Sequence, residues 1–239
     1  MTPTPSTTVS SLRPADTRGT TQIGWLDSKH SFAFGSYYHP DRLGYHGLRV
    51  LNDDRVAPGG GFGTHPHDNM EILSWVVDGG LSHRDSMGSV STLRPGTAQL
   101  MLAGTGVTHS EFNGSDAEPV HFLQIWIEPK QTGLAPNYQE LQVADRTNRF
   151  APVATPDGRD GSMTIRADAS VYVADVDAGG DVSAELGPGR VGYAHVVTGT
   201  GTLNGQAVQA GDAVTVEPAG KLDASSDAGM QVLWFDLPA

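Results

Sequence analysis

The sequence predicts an all-β chain folded as two barrels, and three observations carry that prediction. Thirty glycines and fifteen prolines punctuate short apolar runs, the rhythm of strands joined by tight turns. Several runs alternate with period 2 or are apolar throughout, as half-buried and fully buried strands are. A set of landmarks in the first half recurs in the second. At 239 residues the chain has room for two domains of roughly 110–130 residues each. The expected division is residues 1–130 and residues 131–239, the latter opening with a linker.

Taken in order, Met1 to Ser11 is rich in Thr, Ser and Pro and reads as a flexible tail. It lacks the basic start and apolar centre of a signal peptide. Ser31-Phe32-Ala33-Phe34-Gly35 alternates and predicts a strand. Leu48 to Leu51 predicts another, ended by the polar Asn52-Asp53-Asp54. Glu71 to Val77 runs into Asp78-Gly79-Gly80, a hairpin signal. Leu81 to Asp85 and Val90 to Leu93 continue the meander, and Pro95-Gly96 turns into Ala98 to Leu102. Val120 to Ile127 is almost continuously apolar and predicts a strand buried on both faces. Residues 129–160 are polar and read as a connection, with a possible short helix over Asn137 to Asp145.

The repeat aligns Val76-Val77-Asp78-Gly79, Leu93-Arg94-Pro95-Gly96 and Ala103-Gly104 with Val196-Val197-Thr198-Gly199, Val208-Gln209-Ala210-Gly211 and Ala219-Gly220. The second copy closes a hairpin at Asn204-Gly205.

The bulk composition excludes several functions. Fifteen basic residues against 27 acidic ones give a net charge of −12. Such a surface repels phosphate backbones, which argues against nucleic-acid binding. No apolar run approaches the ~20 residues that span a bilayer. Cysteine is absent, which removes disulfides, thiolate metal sites and cysteine nucleophiles. These features predict a soluble, acidic, cytoplasmic protein, expected to be a monomer.

The chemistry concentrates between Gly59 and Asn113. His65-Pro66-His67 is followed by His109-Ser110-Glu111. Side chains two apart on a strand share a face, so each pair aims two donors into a barrel. Three imidazoles and a carboxylate suit Fe, Mn, Co, Ni or Cu, with Zn also possible, and leave open positions for substrate or O₂. Superposing the repeat puts Glu185 and Gly187 where His65 and His67 stand, and Ser225 and Asp227 where His109 and Glu111 stand. One metal site, in the first barrel, is expected.

These residues also resemble a known family. Gly59, His65, His67 and Glu71, then Gly106, His109 and Asn113, have the spacing of the two cupin motifs. Gly61-Phe62-Gly63-Thr64-His65-Pro66-His67, Asp85-Ser86-Met87-Gly88, Ala103 to Phe112 and Glu118 to Ile127 resemble the pirin family more specifically. The likeness is dense from Arg18 to Ile127 and thinner to Leu237-Pro238. It implies a bicupin: two cupin, jelly-roll-like β-barrels with one metal, usually iron(II), in the first. Asp68-Asn69 departs from the Arg-Asp common after this histidine pair in bacterial relatives.

The residues alone leave the acidic ligand open between Glu71, its place in general cupins, and Glu111. The pirin resemblance and strand parity both favour Glu111, and Glu71 is then expected to accept a hydrogen bond from a ligand imidazole. The resemblance implies a dioxygenase like quercetin 2,3-dioxygenase, opening a flavonol with O₂ and releasing carbon monoxide. Glu111 would be its general base. The alternative it implies is a metal- or redox-sensing protein that binds a protein partner without turnover. A non-oxygenase cupin such as an isomerase would use the same scaffold. His83 and His121 are expected outside the ligand set, and His30, His39 and His46 could line a pocket mouth. Trp75, Met101, Phe122 and Trp126 are expected in the core.

Overall fold

The computed structural model describes residues 9–217 and 220–239. Most of the expected N-terminal tail, and Ala219 of the last repeat landmark, lie outside them. Two compact units emerge. One comprises residues 18–144 and 153–168; the other comprises residues 145–152 and 169–239 with the described part of 1–17. The units therefore exchange short segments, where a single cut at residue 130 was expected. Residues 10 and 11, expected in the tail, are in strand β1 (Val9–Arg13), which pairs with a strand of the C-terminal unit.

The N-terminal unit is built from β2 (Gly19–Ile23), β3 (Leu26–His30), β4 (Leu48–Val56), β5 (Gly61–His67), β6 (Glu71–Asp78), β7 (Leu81–Asp85), β8 (Val90–Leu93), β9 (Thr97–Leu102), β10 (Val107–Asn113), β11 (Val120–Ile127) and β12 (Asn137–Gln142). They form two sheets, ordered β12-β9-β6-β11-β4-β3-β2 and β5-β10-β7-β8. The core between them includes Leu26, Val56, Val76, Leu81, Leu93, Val120 and Phe122.

Four local expectations change. Ser31 to Gly35 is not a strand: β3 ends at His30, and Phe34 makes only an isolated bridge to Tyr37. Phe32 is nevertheless buried, which is what the alternation reported. Asn52-Asp53-Asp54 does not end β4, which runs through all three to Val56 with each of them buried. Asp78-Gly79-Gly80 is a corner between sheets rather than a hairpin, because β6 pairs with β9 and β11 while β7 pairs with β8 and β10. Residues 137–142 extend the large sheet as β12, with Tyr138 opposite Met101. Pairing with β9 satisfies the backbone donors that a short helix would have left exposed at its ends.

The C-terminal unit contains β15 (Ser170–Val176), β16 (Gly180–Glu185), β17 (Arg190–Leu203), β18 (Gln206–Gln209), β19 (Ala213–Glu217), β20 (Lys221–Ser226) and β21 (Met230–Pro238). Between β12 and β15 lie β13 (Ala151–Thr155), which crosses the division of units, and β14 (Met163–Thr164), its parallel partner. The long β17 pairs with β19 and β21, then with β18 and β20. Its turn to β18 has positive φ at Asn204 and Gly205, the conformation that an Asn-Gly pair adopts most readily. Val182, Leu186, Ala194, Val196, Leu203, Val214, Leu222 and Trp234 fill the interior. Ser225, which the repeat sets opposite His109, bonds to Thr202. Among the described residues no helix is long and apolar enough to cross a membrane.

Candidate metal centre

His65 on β5 lies directly opposite His109 on β10, and His67 lies opposite Val107. The strand pairing thus delivers three imidazoles to one point. Their ring centroids form a near-equilateral triangle, 4.8 Å from His65 to His67, 4.5 Å from His65 to His109 and 4.9 Å from His67 to His109. Their donor atoms all lie within 4.8 Å of one another.

A bulge between β5 and β10 helps to aim them. The register shifts between His109 and Glu111, so that β5 carries one extra residue at Gly63-Thr64. The Gly63 carbonyl then faces His65 Nδ1 at 2.8 Å. A carbonyl only accepts, so Nδ1 carries the proton and the Nε2 lone pair of His65 is left for the centre. That Nε2 stands 3.0 Å from Nε2 of His109. Burial and the neighbouring His65 push His67 down to about 4. Burial and the surrounding imidazoles hold His109 well below the usual histidine range. A metal ion requires imidazole nitrogens with a free lone pair, and three such nitrogens within 4.8 Å of one another are a donor set that fits one.

Glu111 is also brought here, but its carboxylate is held deeper. It groups with His109 and His83, within 4.8 Å. Gln99 Nε2 donates to Oε1 at 2.6 Å and Gln124 Nε2 to Oε2 at 2.6 Å, with the Ser74 hydroxyl 3.2 Å from Oε1. Burial pushes the carboxyl up to about 7 against these hydrogen bonds from Ser74, Gln124 and Gln99.

The three partners of Glu111 come from one register row. Across the large sheet His30, Asn52, Gln124, Ser74 and Gln99 stand opposite one another on β3, β4, β11, β6 and β9. All five are buried. Each of the last three is the lone polar side chain at the middle of an otherwise apolar run. A buried polar residue in such a run was a signal that sequence reading could have used.

Glu71 does not touch an imidazole: its carboxylate accepts the Arg166 backbone N–H at 2.7 Å. His83 is nearer the centre than expected. It faces Glu111 across β7 and β10, bonds Asp85 at 3.1 Å, and stacks on Tyr138 with ring centroids 4.6 Å apart. His121 lies apart, bonded to Asp53 at 2.8 Å. Trp75, Met101 and Phe122 are core, whereas Trp126 is half-buried and meets the His67 ring edge-on at 5.0 Å. Of the three N-terminal histidines, His30 lines a cavity; His46 is exposed, and His39 accepts the Asp41 N–H.

That cavity adjoins the centre. Its volume is about 210 Å³, and His65 and Glu111 form part of its wall. Leu26, Phe34, Phe62 and Trp126 give it apolar and aromatic sides.

Relatives share this arrangement of chain. A quercetin 2,3-dioxygenase of Escherichia coli strain K12 is 40% identical over 231 residues, spanning 95% of this chain and 98% of that protein. The chain belongs to the pirin family. The family's own pattern matches residues 11–127, and that of the quercetinase C-terminal cupin domain matches residues 152–237. A protein of Mycobacterium tuberculosis H37Rv named as a putative quercetin 2,3-dioxygenase is 38% identical over 236 residues, with 95% of each chain covered. The crystal structure of the bacterial pirin YhhW from Escherichia coli in complex with nickel(II) superposes with a TM-score of 0.91 at 38% identity, over 96% of this chain and 99% of that one. The pirin fold of two cupin barrels, expected from the sequence, is the fold observed.

Proposed function

We propose that this chain is a metal-dependent dioxygenase of the quercetin 2,3-dioxygenase type, acting on a flavonol-like aromatic with O₂. The observation that carries the reading is the sharing of one aromatic-walled cavity by His65, of the convergent imidazole triad, and the buried carboxylate of Glu111. Full-length similarity to proteins that carry that activity in their names supports it.

His65, His67, His109 and Glu111 are the proposed ligands, with iron(II) as the proposed ion. Three nitrogens and one oxygen suit iron(II) and its neighbours Mn, Co, Ni and Cu, and a relative's nickel(II) complex fits that range. When bound, the ion supplies a Lewis acid that lowers the pKa of a coordinating hydroxyl and a place for O₂.

The chain's own residues do the rest. Glu111 takes the proton of the substrate hydroxyl, its carboxylate standing in the cavity wall beside His65. Gln99 and Gln124 fix the carboxylate so that its orientation is set before substrate arrives. Gly63 orients His65 through Nδ1. Phe34, Phe62 and Trp126 pack on the ring and exclude water.

The test is Glu111→Gln, with bound metal measured on the same sample. Loss of the base should lower the rate of flavonol decay by roughly 10²–10⁴-fold. Full activity at full metal content would remove Glu111 from the base role.

A further inference from the structure

A second pocket lies against the aromatic wall of the cavity. Phe34 and Trp126 meet edge-on with ring centroids 5.5 Å apart. Both line the cavity beside His65, and both also line a larger outer pocket of about 420 Å³. That volume is enough for a small organic ligand. Tyr38 and Leu43 form its rim. They are 72% and 46% exposed, large apolar side chains that the barrel leaves to water.

Arg49 supplies the only charge in this wall. Its guanidinium forms no ion pair among the described residues, although the chain carries 27 acidic residues against 15 basic ones. The backbone explains its place. Val50 stands opposite Trp126 and Leu48 opposite Ile127, so Arg49 is the extra residue of a bulge on β4. A bulge frees one residue from the ladder and re-aims its side chain. Here it sets a lone cation among aromatic rings.

That combination selects a ligand class. The planar fork of a guanidinium matches a carboxylate through two parallel hydrogen bonds. Aromatic faces on either side favour a planar ring.

We propose that the outer pocket binds aromatic carboxylates, with Arg49 as the anion contact and Tyr37, Tyr38 and Trp126 as the ring contacts. On the flavonol reading above, on which this assignment rests, the ligand is the ring-opened product. Cleavage breaks both ring bonds of the carbon that bears the reacting hydroxyl, and that carbon leaves as carbon monoxide. One atom of O₂ goes to each severed end, and the three carbons supply the electrons that reduce it. One end becomes an ester carbonyl and the other a carboxyl group, while the hydroxyl proton passes through Glu111 to the new carboxyl group or to solvent. The carboxylate exists only in the product, so Arg49 draws product, and not substrate, outward past Phe34 and Trp126.

The experiment measures binding apart from turnover. The probe is 2-benzoyloxybenzoate, the product expected from 3-hydroxyflavone. It, its methyl ester and benzoate are titrated under nitrogen into wild type, Arg49→Gln, Arg49→Lys, Tyr38→Ala and His67→Ala, and followed by calorimetry. Wild type should bind the acid about tenfold or more tighter than the ester, the worth of one hydrogen bond to a charged group. Arg49→Gln should bring that ratio near one, Arg49→Lys should keep part of it, and Tyr38→Ala should weaken both ligands. His67→Ala should keep the full ratio. If Arg49→Gln does not fold, Arg49→Lys carries the test through a reduced ratio. An unchanged ratio in the folded Arg49 variants overturns the proposal, and so does its loss in His67→Ala, which would place the carboxylate on the metal. Benzoate bound as tightly as the probe would make the occupant a small acid from solution and overturn the product assignment. Arg49-dependent binding by a protein that consumes no O₂ would leave the carboxylate site standing while removing the dioxygenase reading.

Discussion

Gln124 Nε2 donates to Glu111 Oε2 at 2.6 Å across the interior of the N-terminal barrel. The two residues come from different sheets, so this contact ties the site's carboxylate to the wall opposite its own strand. Gln124→Leu keeps the side chain's approximate shape and removes the donor. The buried carboxylate would then lack one hydrogen bond, which should cost about 1–3 kcal/mol of stability. Chemical denaturation of the metal-free variant measures it, and a change under ~0.5 kcal/mol would show that the contact does not hold the carboxylate.

His67→Ala should reduce bound metal sharply relative to wild type, because one of three convergent imidazoles is lost. Wild type should saturate at one ion per chain, since Glu185, Gly187, Ser225 and Asp227 bring no imidazole to the second barrel. Mass spectrometry of metal content reads both. Equal content in variant and wild type would contradict the triad, and two ions per wild-type chain would contradict the single site.

Asp53 makes an acid-sensitive stabilising cluster away from the centre. Burial raises its carboxyl, but the hydrogen bond and charge of His121, with Arg55 and Arg18, outweigh that and hold it well below the usual carboxylate range. The contacts are 2.8 Å to His121, 2.9 Å to Arg55 and 3.2 Å to Arg18. A depressed carboxyl stabilises fully above its unfolded pKa and loses that contribution as pH falls toward the folded one. Asp53→Asn should therefore cost about 1.5–3 kcal/mol at pH 7, and the gap to wild type should close below about pH 4. Melting curves across pH 2–8 would show it, and a gap constant with pH would refute the assignment.

In the C-terminal barrel Gly192 leaves room for a ring. A Cβ there would fall on the Trp234 indole, one of the largest buried side chains. Gly192→Ala should overpack that core by roughly 1–3 kcal/mol. A melting temperature equal to wild type would show that Trp234 moves aside freely.

The convergence of His65, His67 and His109 was legible because its signal is local: a residue pair on one strand keeps its parity whatever the strand pairs with. Val120 to Ile127 and the Asn204-Gly205 turn were legible for the same reason. What was missed depended on pairing between distant segments. Asn52-Asp53-Asp54 looks like a strand end, since polar runs usually face water; here all three are buried, Asn52 bonding His30 and Asp53 meeting a cationic cluster. His83 reaches the centre only because β7 pairs with β10. Asp78-Gly79-Gly80 carries hairpin chemistry, but the strands on either side go to different sheets. Glu71 was expected at an imidazole, and the chain at Arg166, 95 positions away, supplies its partner instead.

An oxygen electrode tests most directly whether the triad and Glu111 form an oxygenase site. Iron(II)-loaded protein with quercetin should consume O₂ in step with decay of the flavonol absorption band and release of carbon monoxide, and His67→Ala protein should not. Wild-type protein that holds one ion per chain, whether Fe, Mn, Co, Ni or Cu, and consumes no O₂ with any of several flavonols would contradict the account and favour a metal-sensing role.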